Sequence, residues 1–297
     1  MKNTHLFKGY LGILPLYLLS SVFIFYSCDN DVNSSIFTSH SKIWVDAVVK
    51  TTDTVKIYLG VTSGMNSGVT ARYRDDATVQ LFVNNSEIPK VLEYKELSLN
   101  KGYYYCPQLS GVKPGDSLTF VGWIEGEEFE RVEAKTYIPA PVNIDKIKLI
   151  KRTLTGDSKE KIDLEMILDT SGIGKNLYFE LDIKNYVYTY STKVPTYIKK
   201  VGTKDDLGFS YGMYWNNSKE SILVNYALIK NDNIPISFTI PANVIKNELE
   251  INIKTITKDY YEYSKAIENG SISKSNISNG TGIFTGYSES KNMIVIE

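Results

Sequence analysis

The sequence predicts an all-β protein made of two tandem β-sandwich domains, of the Ig-like or transthyretin-like kind, with at most short helices. Short runs of β-branched and aromatic residues recur along the chain from Ile43 onwards. Turn-forming Asn, Gly and Pro residues separate these runs at intervals of about 8 to 12 residues, which is typical of sandwiches. Hardly any stretch has the 3.6-residue period of an amphipathic helix.

Residues 1–27 have the layout of a secretory signal. Lys2 and Lys8 precede a mostly apolar run, Leu11–Tyr26. This run of about 16 residues is shorter than the roughly 20 that a membrane-spanning helix needs, and Pro15 interrupts it. We therefore expect a signal that is cleaved, in preference to a membrane anchor that is retained.

A lipid anchor is expected where this signal ends. Ser27 is a small residue directly before Cys28, which resembles the cleavage site of bacterial lipoproteins. We expect cleavage after Ser27 and a fatty acid such as palmitate on Cys28. Residues 28–41 are mostly small and polar and form a tether, which spans ~40 Å when extended. The acidic start of the tether, Asp29-Asn30-Asp31, resembles the export tag of Bacteroidetes-type lipoproteins and predicts the outer membrane, with exposure at the cell surface as a hypothesis.

The N-terminal β-sandwich domain is predicted to span residues 42–140. In the run Ala77–Val83, the apolar Val79 and Leu81 alternate with polar residues, as in a strand buried on one face. Tyr103–Tyr105 is a further strand, in which the outer two rings share a face. The other predicted strands of this domain are 43–49, 54–61, 117–124 and 129–138.

The C-terminal β-rich domain is predicted to span residues 141–297. The boundary lies at Ile138-Pro139-Ala140-Pro141-Val142, because two prolines in four residues do not fit a central strand. The best helix candidate is 258–267, ended by Asn269-Gly270. A glycine-punctuated loop then leads into a last strand at 292–296. The other predicted strands are 144–154, 161–168, 177–190, 221–229, 234–240 and 248–257.

Composition excludes several classes of function. The net charge is −1, and loss of the signal with its two lysines leaves about −3 without a basic stripe, which argues against nucleic acid as a partner. The only cysteines are Cys28 and Cys106, so a lipidated Cys28 leaves no disulfide in the folded part, and Cys106 is expected to be a small buried apolar residue. The only histidines are His5 and His40, which argues against catalytic triads and multi-histidine zinc sites. We predict no cofactor and no metal site.

Two motifs that superficially suggest catalysis are interpreted as structural. Gly280-x-Gly282-x-x-x-Gly286 is one residue away from a dinucleotide fingerprint and leads into a strand instead of a helix, so we expect a structural loop. Runs of carboxylates flanked by turn residues are expected to be solvated loop tips. These runs are Asp75-Asp76, Glu125 with Glu127 and Glu128, and Asp205-Asp206.

Aromatic residues are the one compositional excess, with 22 tyrosines. Tyr211, Tyr214 and Trp215 lie in a stretch rich in Gly and Asn. Flat rings with a polar tip suit stacking on a glycan or anchoring a peptide or protein. The alternative, in which these rings cover the edge of the sandwich, is favoured over a binding platform, because large aromatic side chains are mostly buried by packing.

Several of these motifs together resemble the DUF4249 family of Bacteroidetes-type outer-membrane lipoproteins. The resemblance is carried by Asp259-Tyr260-Tyr261-Glu262-Tyr263, by Ser275–Phe284, by Ala77, Val79 and Leu81, by Gly102-Tyr103-Tyr104, and by Ile138-Pro139. It implies a lipoprotein that accompanies a TonB-dependent β-barrel receptor. The family offers no site residues to carry over.

The functional expectation is therefore a non-enzymatic outer-membrane lipoprotein, acting as an accessory or binding subunit of a TonB-dependent receptor. A surface adhesin or structural cell-envelope protein is the alternative. An unrecognised hydrolase ranks third, because carboxylates are plentiful while the sequence shows no pair held across a cleft.

The lipid anchor is directly testable. We expect labelled palmitate to enter the wild-type protein, and Cys28→Ala to prevent labelling and release the protein from the membrane fraction. Metabolic labelling and fractionation measure both effects. A Cys106→Ala variant is the matched control and should remain labelled and membrane-bound. Equal membrane association of Cys28→Ala and wild type would contradict the prediction.

Overall fold

The computed structural model describes residues 41–50, 54–62, 72–87, 89–98, 101–106, 112–155, 158–173, 176–189, 192–198, 213–216, 221–229, 233–241, 246–269 and 274–296. Within these ranges, only the backbone is described for 185–189, 192–198, 213–216, 240–241, 246–247 and 296. The described residues from Lys42 onwards form one compact unit.

The described residues fold mostly into strands, which confirms the predicted all-β, sandwich-like class. The strands are β1 (Ile43–Lys50), β2 (Lys56–Val61), β3 (Arg72–Tyr73), β4 (Ala77–Val83), β5 (Lys90–Val91), β6 (Glu93–Ser98), β7 (Lys101–Tyr105), β8 (Ser117–Ile124), β9 (Val132–Tyr137), β10 (Asn143–Thr155), β11 (Lys159–Asp169), β12 (Tyr178–Thr189), β13 (Thr192–Ile198), β14 (Met213–Asn216), β15 (Ser221–Asn225), β16 (Asn233–Pro241), β17 (Lys246–Ile256) and β18 (Thr281–Ile296). The one α-helix among the described residues is α1 (Lys258–Glu268).

Three sheets make up this unit. The large sheet has eleven strands in the order β14-β15-β12-β17-β18-β1-β2-β7-β6, with β13 paired to β12 and β3 paired to β2. A four-stranded sheet, β5-β4-β8-β9, and a three-stranded sheet, β10-β11-β16, complete the fold.

Each small sheet packs against a part of the large sheet, and the two together form a hydrophobic core. The first core combines β1, β2 and β7 with the four-stranded sheet and includes Val45, Leu59, Leu81, Phe120 and Phe284. The second core combines β12, β15 and β17 with the three-stranded sheet and includes Ile162, Phe179, Leu181, Ile236 and Ile251. The predicted boundary after Ala140 stays a prediction; the structure shows two cores that share one sheet.

The last strand joins the two halves of the large sheet. β18 pairs parallel with β1, from Trp44↔Thr281 to Lys50↔Tyr287, and antiparallel with β17. The expectation of a loop followed by a short strand at 292–296 is therefore wrong, because the strand begins at Thr281. Its glycines allow close packing: a Cβ on Gly282 would lie 1.8 Å from the carbonyl oxygen of Val45, and Gly282 has a φ of +112°.

The proline-containing connection crosses from one core to the other and is held by side chains of the large sheet. Ile138 and Val142 are completely buried. The Val142 N–H donates a hydrogen bond to Thr255 Oγ1 (3.1 Å), and Ser290 Oγ donates one to the Val142 carbonyl (2.5 Å). Since these two bonds satisfy the buried backbone of Val142, the connection is a fixed part of the interior.

Most of the predicted elements are found, and the errors concern short or exposed strands. The strands 77–83 and 117–124 have the predicted bounds, and α1 has a Thr257 N-cap whose Oγ1 accepts from the Tyr260 N–H. The predicted strand 221–229 ends at Asn225 and continues as a 3-10 turn, Tyr226–Leu228. The sequence analysis did not predict β3, β5, β6, β13 or β14, which are short or lie at edges of the pairing network.

Replacement of Gly282 should destabilise the protein more than replacement of an equally strained but exposed glycine. Gly282→Ala adds a Cβ that collides with Val45 and adopts an unfavourable φ, so we expect a loss of about 2 kcal/mol or more in the free energy of unfolding. Gly115→Ala is the control, because Gly115 has a φ of +92° but open space around its Cβ. Urea denaturation measures both variants, and equal losses would contradict the close-packing role of Gly282.

Candidate functional site

The sequence-predicted site residues lie mainly outside the described residues. Cys28 and Tyr211 are outside them. Tyr214 and Trp215 lie in β14, whose backbone pairs with β15 at Tyr214↔Leu223 and Trp215↔Ile222, and their side chains are not described. The binding platform at these three aromatic residues therefore stays a prediction.

The described carboxylates of the runs considered in the sequence analysis lie on the surface. Asp75, Asp76, Glu125, Glu127 and Glu128 are exposed, as expected for loop tips, and Asp205-Asp206 lies outside the described residues. Arg74 Nη2 contacts Asp76 and Glu127, each at 2.6 Å. These hydrogen bonds raise the pKa of the Arg74 guanidinium and lower that of the Asp76 carboxyl.

The polar surface of interest is the outward face of the large sheet, on the side opposite the two cores. On β12, the side chains of Tyr178, Glu180, Asp182 and Lys184 lie on this face, whereas Phe179, Leu181 and Ile183 enter the second core. The same alternation continues across β17 and β18. Helix α1 packs on one end of the outward face, where Tyr260 and Tyr261 form a small apolar cluster with Leu223, Ile256 and Ile283.

A cavity of about 360 Å³ opens on the outward face beside α1. Five strands, β1, β12, β15, β17 and β18, and the helix contribute to it, so its wall is built from residues far apart in the chain. Its polar lining comes from Glu180, Asp182, Ser221, Lys254 and Thr285, and its apolar and aromatic lining from Val48, Ile256, Tyr260 and Tyr287.

Glu180 is the most unusual residue of this cavity, because it is an acidic residue only 2% exposed. Ser221 Oγ donates a hydrogen bond of 2.5 Å to Glu180 Oε1. Lys254 Nζ lies 3.9 Å from Glu180 Oε2, which is beyond hydrogen-bonding distance. The carboxylate is thus held by one short hydrogen bond and one longer electrostatic contact.

A ladder of alternating charges runs across the outward face next to the cavity. Glu180 on β12 lies opposite Lys254 on β17, which lies opposite Glu289 on β18. Lys50 Nζ contacts Glu289 at 2.6 Å. Burial alone would raise the pKa of Glu289, but hydrogen bonds from Lys50 and Asn252 lower it below the ordinary value. Lys254 therefore has a carboxylate on both sides.

The two carboxylates of the cavity are arranged side by side. Glu180 and Asp182 are two residues apart on β12, so their backbones are about 6.6 Å apart on the same wall. A glycosidase needs two carboxyl groups facing each other across the scissile bond. Glu180 and Asp182 lie on one strand and do not form such a facing pair with each other.

Sequence reasoning missed this cavity, although a signal was present. Acidic and basic residues alternate with apolar ones in β12 and again at Glu250, Asn252 and Lys254 of β17. This period of two predicts one charged face in each strand. Which strands are neighbours, however, follows from the pairing of distant segments and not from either strand alone.

A row of aromatic rings occupies the other end of the outward face. Trp44, Tyr73, Tyr58, Tyr103 and Tyr105 follow one another in edge-on contacts, with ring centroids 5.5 to 6.3 Å apart. Burial, followed by the neighbouring Tyr103, Asp46 and Tyr73, raises the pKa of Tyr58. Because the rings pack on one another, they stabilise the sheet and present few flat faces for stacking.

An exposed edge strand is the second notable surface. Among the described residues, β10 pairs only with β11, and none of its thirteen residues is buried. Leu149, Ile150 and Leu154 are 45%, 54% and 75% exposed. Basic residues accompany these apolar side chains along the strand, namely Lys146, Lys148, Lys151 and Arg152.

The described residues contain neither a membrane-spanning helix nor a cluster of metal-binding side chains. No helix in the described part of the chain is long and apolar enough to cross a membrane. No group of three or more His, Cys, Asp or Glu side chains within the described ranges is placed to hold a metal ion.

Comparison with known proteins connects the chain to one family. The family model described as "Domain of unknown function (DUF4249)" matches residues 29–293. No curated protein matches the chain.

Likenesses to solved structures are distant. Three N-terminal domains of the Highly Immunogenic Outer Capsid protein of bacteriophage RB49 are 13% identical, with a TM-score of 0.26, over 85% of this chain and 68% of that one. The β-glucuronidase of Parabacteroides merdae is 13% identical, with a TM-score of 0.23, over 72% of this chain and 23% of the enzyme. The adhesin InvE of Yersinia pseudotuberculosis is 11% identical, with a TM-score of 0.22, over 86% of this chain and 58% of the adhesin. Scores this low carry no inference about function.

The Ser221–Glu180 hydrogen bond should contribute measurably to stability. Ser221→Ala leaves a buried carboxylate without its donor, so we expect a loss of about 2 kcal/mol in the free energy of unfolding. In a Glu180→Met background the same change should cost less than about 0.5 kcal/mol. Chemical denaturation of all four proteins gives the coupling energy.

Ser237→Ala is the control for this double-mutant cycle. Ser237 Oγ donates a 2.6 Å hydrogen bond to the half-buried Asp163, where water can replace the lost donor. Its cost should be smaller than that of Ser221→Ala. An equal cost of Ser221→Ala with and without Glu180 would contradict the predicted coupling.

Proposed function

The chain belongs to the DUF4249 family, and from its surface we propose that it is a lipid-anchored, non-enzymatic binding subunit of the outer membrane that docks onto a TonB-dependent receptor. The N-terminal layout of residues 1–31 supports the lipid anchor. The side-by-side carboxylates Glu180 and Asp182 support binding in preference to hydrolysis. The exposed edge strand β10 is the observation that carries the docking role.

Strand β10 has the features of a docking edge. Native proteins usually shorten, cover or charge their edge strands, because an open row of backbone N–H and C=O groups pairs with other chains. β10 is thirteen residues long and exposes three large apolar side chains within six positions. Exposed apolar residues among charges mark protein-binding surfaces, whereas lysines alone would only protect an edge.

The chemistry of the strand specifies its partner. Four basic residues and one acidic residue, Asp145, give β10 a net charge of +3. We propose that a receptor segment in extended conformation adds to β10 as a further strand, with acidic side chains beside the lysines and apolar ones on Ile150 and Leu154. Backbone hydrogen bonds would supply affinity, and the side chains would supply specificity.

Site-specific crosslinking in intact cells tests this docking role. A photo-crosslinking residue at Ile150 or Leu154 should give a discrete adduct with an integral TonB-dependent receptor, identified by mass spectrometry. Leu97 is the control position. It is 58% exposed on β6, an edge strand of the large sheet, whereas β10 belongs to the three-stranded sheet. The same adduct from Leu97, or no adduct from β10, would overturn the proposal.

Charge reversal provides an independent readout. Lys146→Glu, Lys148→Glu and Lys151→Glu together should reduce adduct formation at Leu154 about tenfold or more, because three favourable contacts become repulsive. The control is the triple variant Lys90→Glu, Lys95→Glu and Lys101→Glu. These three lysines are exposed and lie on β5, β6 and β7, strands that do not belong to the sheet of β10. An adduct with extracellular host or surface material in place of a receptor would favour the adhesin alternative.

A further inference from the structure

The cavity around Glu180 contains a carboxylate with unused hydrogen-bonding capacity. An ionised carboxylate has about four acceptor positions. Ser221 occupies one of them, and Lys254 Nζ at 3.9 Å is too distant to occupy another. A carboxylate that is only 2% exposed gains little from bulk water. The oxygen Oε2 is therefore available to a donor that enters the cavity.

The ionisable residues that line the cavity select a positive ligand. Glu180 and Asp182 supply two negative charges, and Lys254 supplies the one positive charge of the lining. Lys254 also interacts with Glu289, so its charge is divided between two carboxylates. The lining residues thus carry a net charge of −1, which favours cations over anions. Lys184 Nζ, which is not part of the lining, lies 3.6 Å from Asp182, so Glu180 is the principal carboxylate of the site.

The rest of the lining determines the shape of the ligand. Ile256, Tyr260 and Tyr287 form an apolar and aromatic wall, while the carboxylates lie on β12. Tyrosine rings bind apolar groups and also favour nearby cations. A volume of about 360 Å³ lies at the small end of the range for ligand cavities.

We propose that this cavity binds a small organic molecule that carries a primary ammonium group next to an apolar or aromatic body. The ammonium group donates to Glu180 Oε2 and to the Asp182 carboxylate, and the apolar body lies against Tyr260 and Tyr287. An ammonium group has three donors, which suits two carboxylates on one strand. This site is independent of the lipid anchor and of the partner that docks on β10.

A matched pair of probes isolates the ammonium group. Phenethylamine has the proposed chemistry, and 2-phenylethanol has nearly the same shape without the charge. Saturation-transfer and titration NMR on the full mature chain should show phenethylamine binding at least about tenfold more tightly than 2-phenylethanol. Methyl glucoside serves as a neutral polyol and should not compete with phenethylamine.

Substitutions at Glu180 and at Lys254 should have opposite effects on ligand binding. Glu180→Gln should weaken phenethylamine binding about tenfold or more, whereas Lys254→Met should tighten it, because the competing cation is removed. Glu250→Gln is the control, since Glu250 is a buried carboxylate on the same face that does not line the cavity. If Glu180→Gln fails to fold, Asp182→Asn provides the same test at the more exposed carboxylate.

Four outcomes would overturn the proposal. Equal affinity for phenethylamine and 2-phenylethanol would remove the role of the ammonium group. Tighter binding of methyl glucoside would assign the cavity to neutral sugars. Weaker phenethylamine binding by Lys254→Met would show that Lys254 acts as a ligand-binding residue and not as a competing cation. Absence of binding at about 10 mM phenethylamine would likewise contradict an ammonium site, whereas crosslinking through β10 would be unaffected.

Discussion

The structure depends above all on the close parallel pairing of β18 with β1. Both small sheets need a partner sheet to bury their apolar faces, and the large sheet is continuous only because β18 lies between β1 and β17. Gly282 permits the approach, since any side chain there would collide with the Val45 carbonyl. Phe284 then enters the first core beside Phe120, with ring centroids 5.7 Å apart. One glycine and one phenylalanine thus connect the end of the chain to its first strand.

The two faces of the same sheet differ in character. Its inner face holds the two cores, and its outward face holds α1, the aromatic row and the charged ladder. Because alternate residues of a strand point to opposite faces, Phe179 and Leu181 stabilise the second core while Glu180 and Asp182 line the cavity. The cavity is therefore built on rigid strands, which hold the carboxylates in fixed positions whether or not a ligand is present. Burial together with the nearby Asp46 raises the pKa of Tyr263 where α1 lies over the sheet.

Local patterns in the sequence predicted local structure well. Alternation of apolar and polar residues placed β4, a run of β-branched and aromatic residues placed β8, and the stop signal Asn269-Gly270 placed the end of α1. The loop expected at Gly280–Gly286 was wrong for a reason that is not local: a Cβ on Gly280 or Gly282 would meet the backbone of β1, and one on Gly286 would meet Tyr137 and Ile138, all of them more than 100 residues earlier in the sequence. In the sequence, glycines at short intervals look the same whether they lie in a loop or in a tightly packed strand. Glu180 was missed for a similar reason, since its burial results from Ser221 and Lys254 on neighbouring strands.

The placement of β18 also determines when the fold can be completed. The first core uses Ile277 and Phe284, and β1, which pairs with β2 on one side, lacks its second neighbour until the C-terminal residues are available. A chain of this topology has a high contact order and should fold slowly, with its apolar strands open in the meantime. Such a chain completes its large sheet only after its C-terminal residues have been made. Late closure by β18 would thus suit the export that we propose from the layout of residues 1–27.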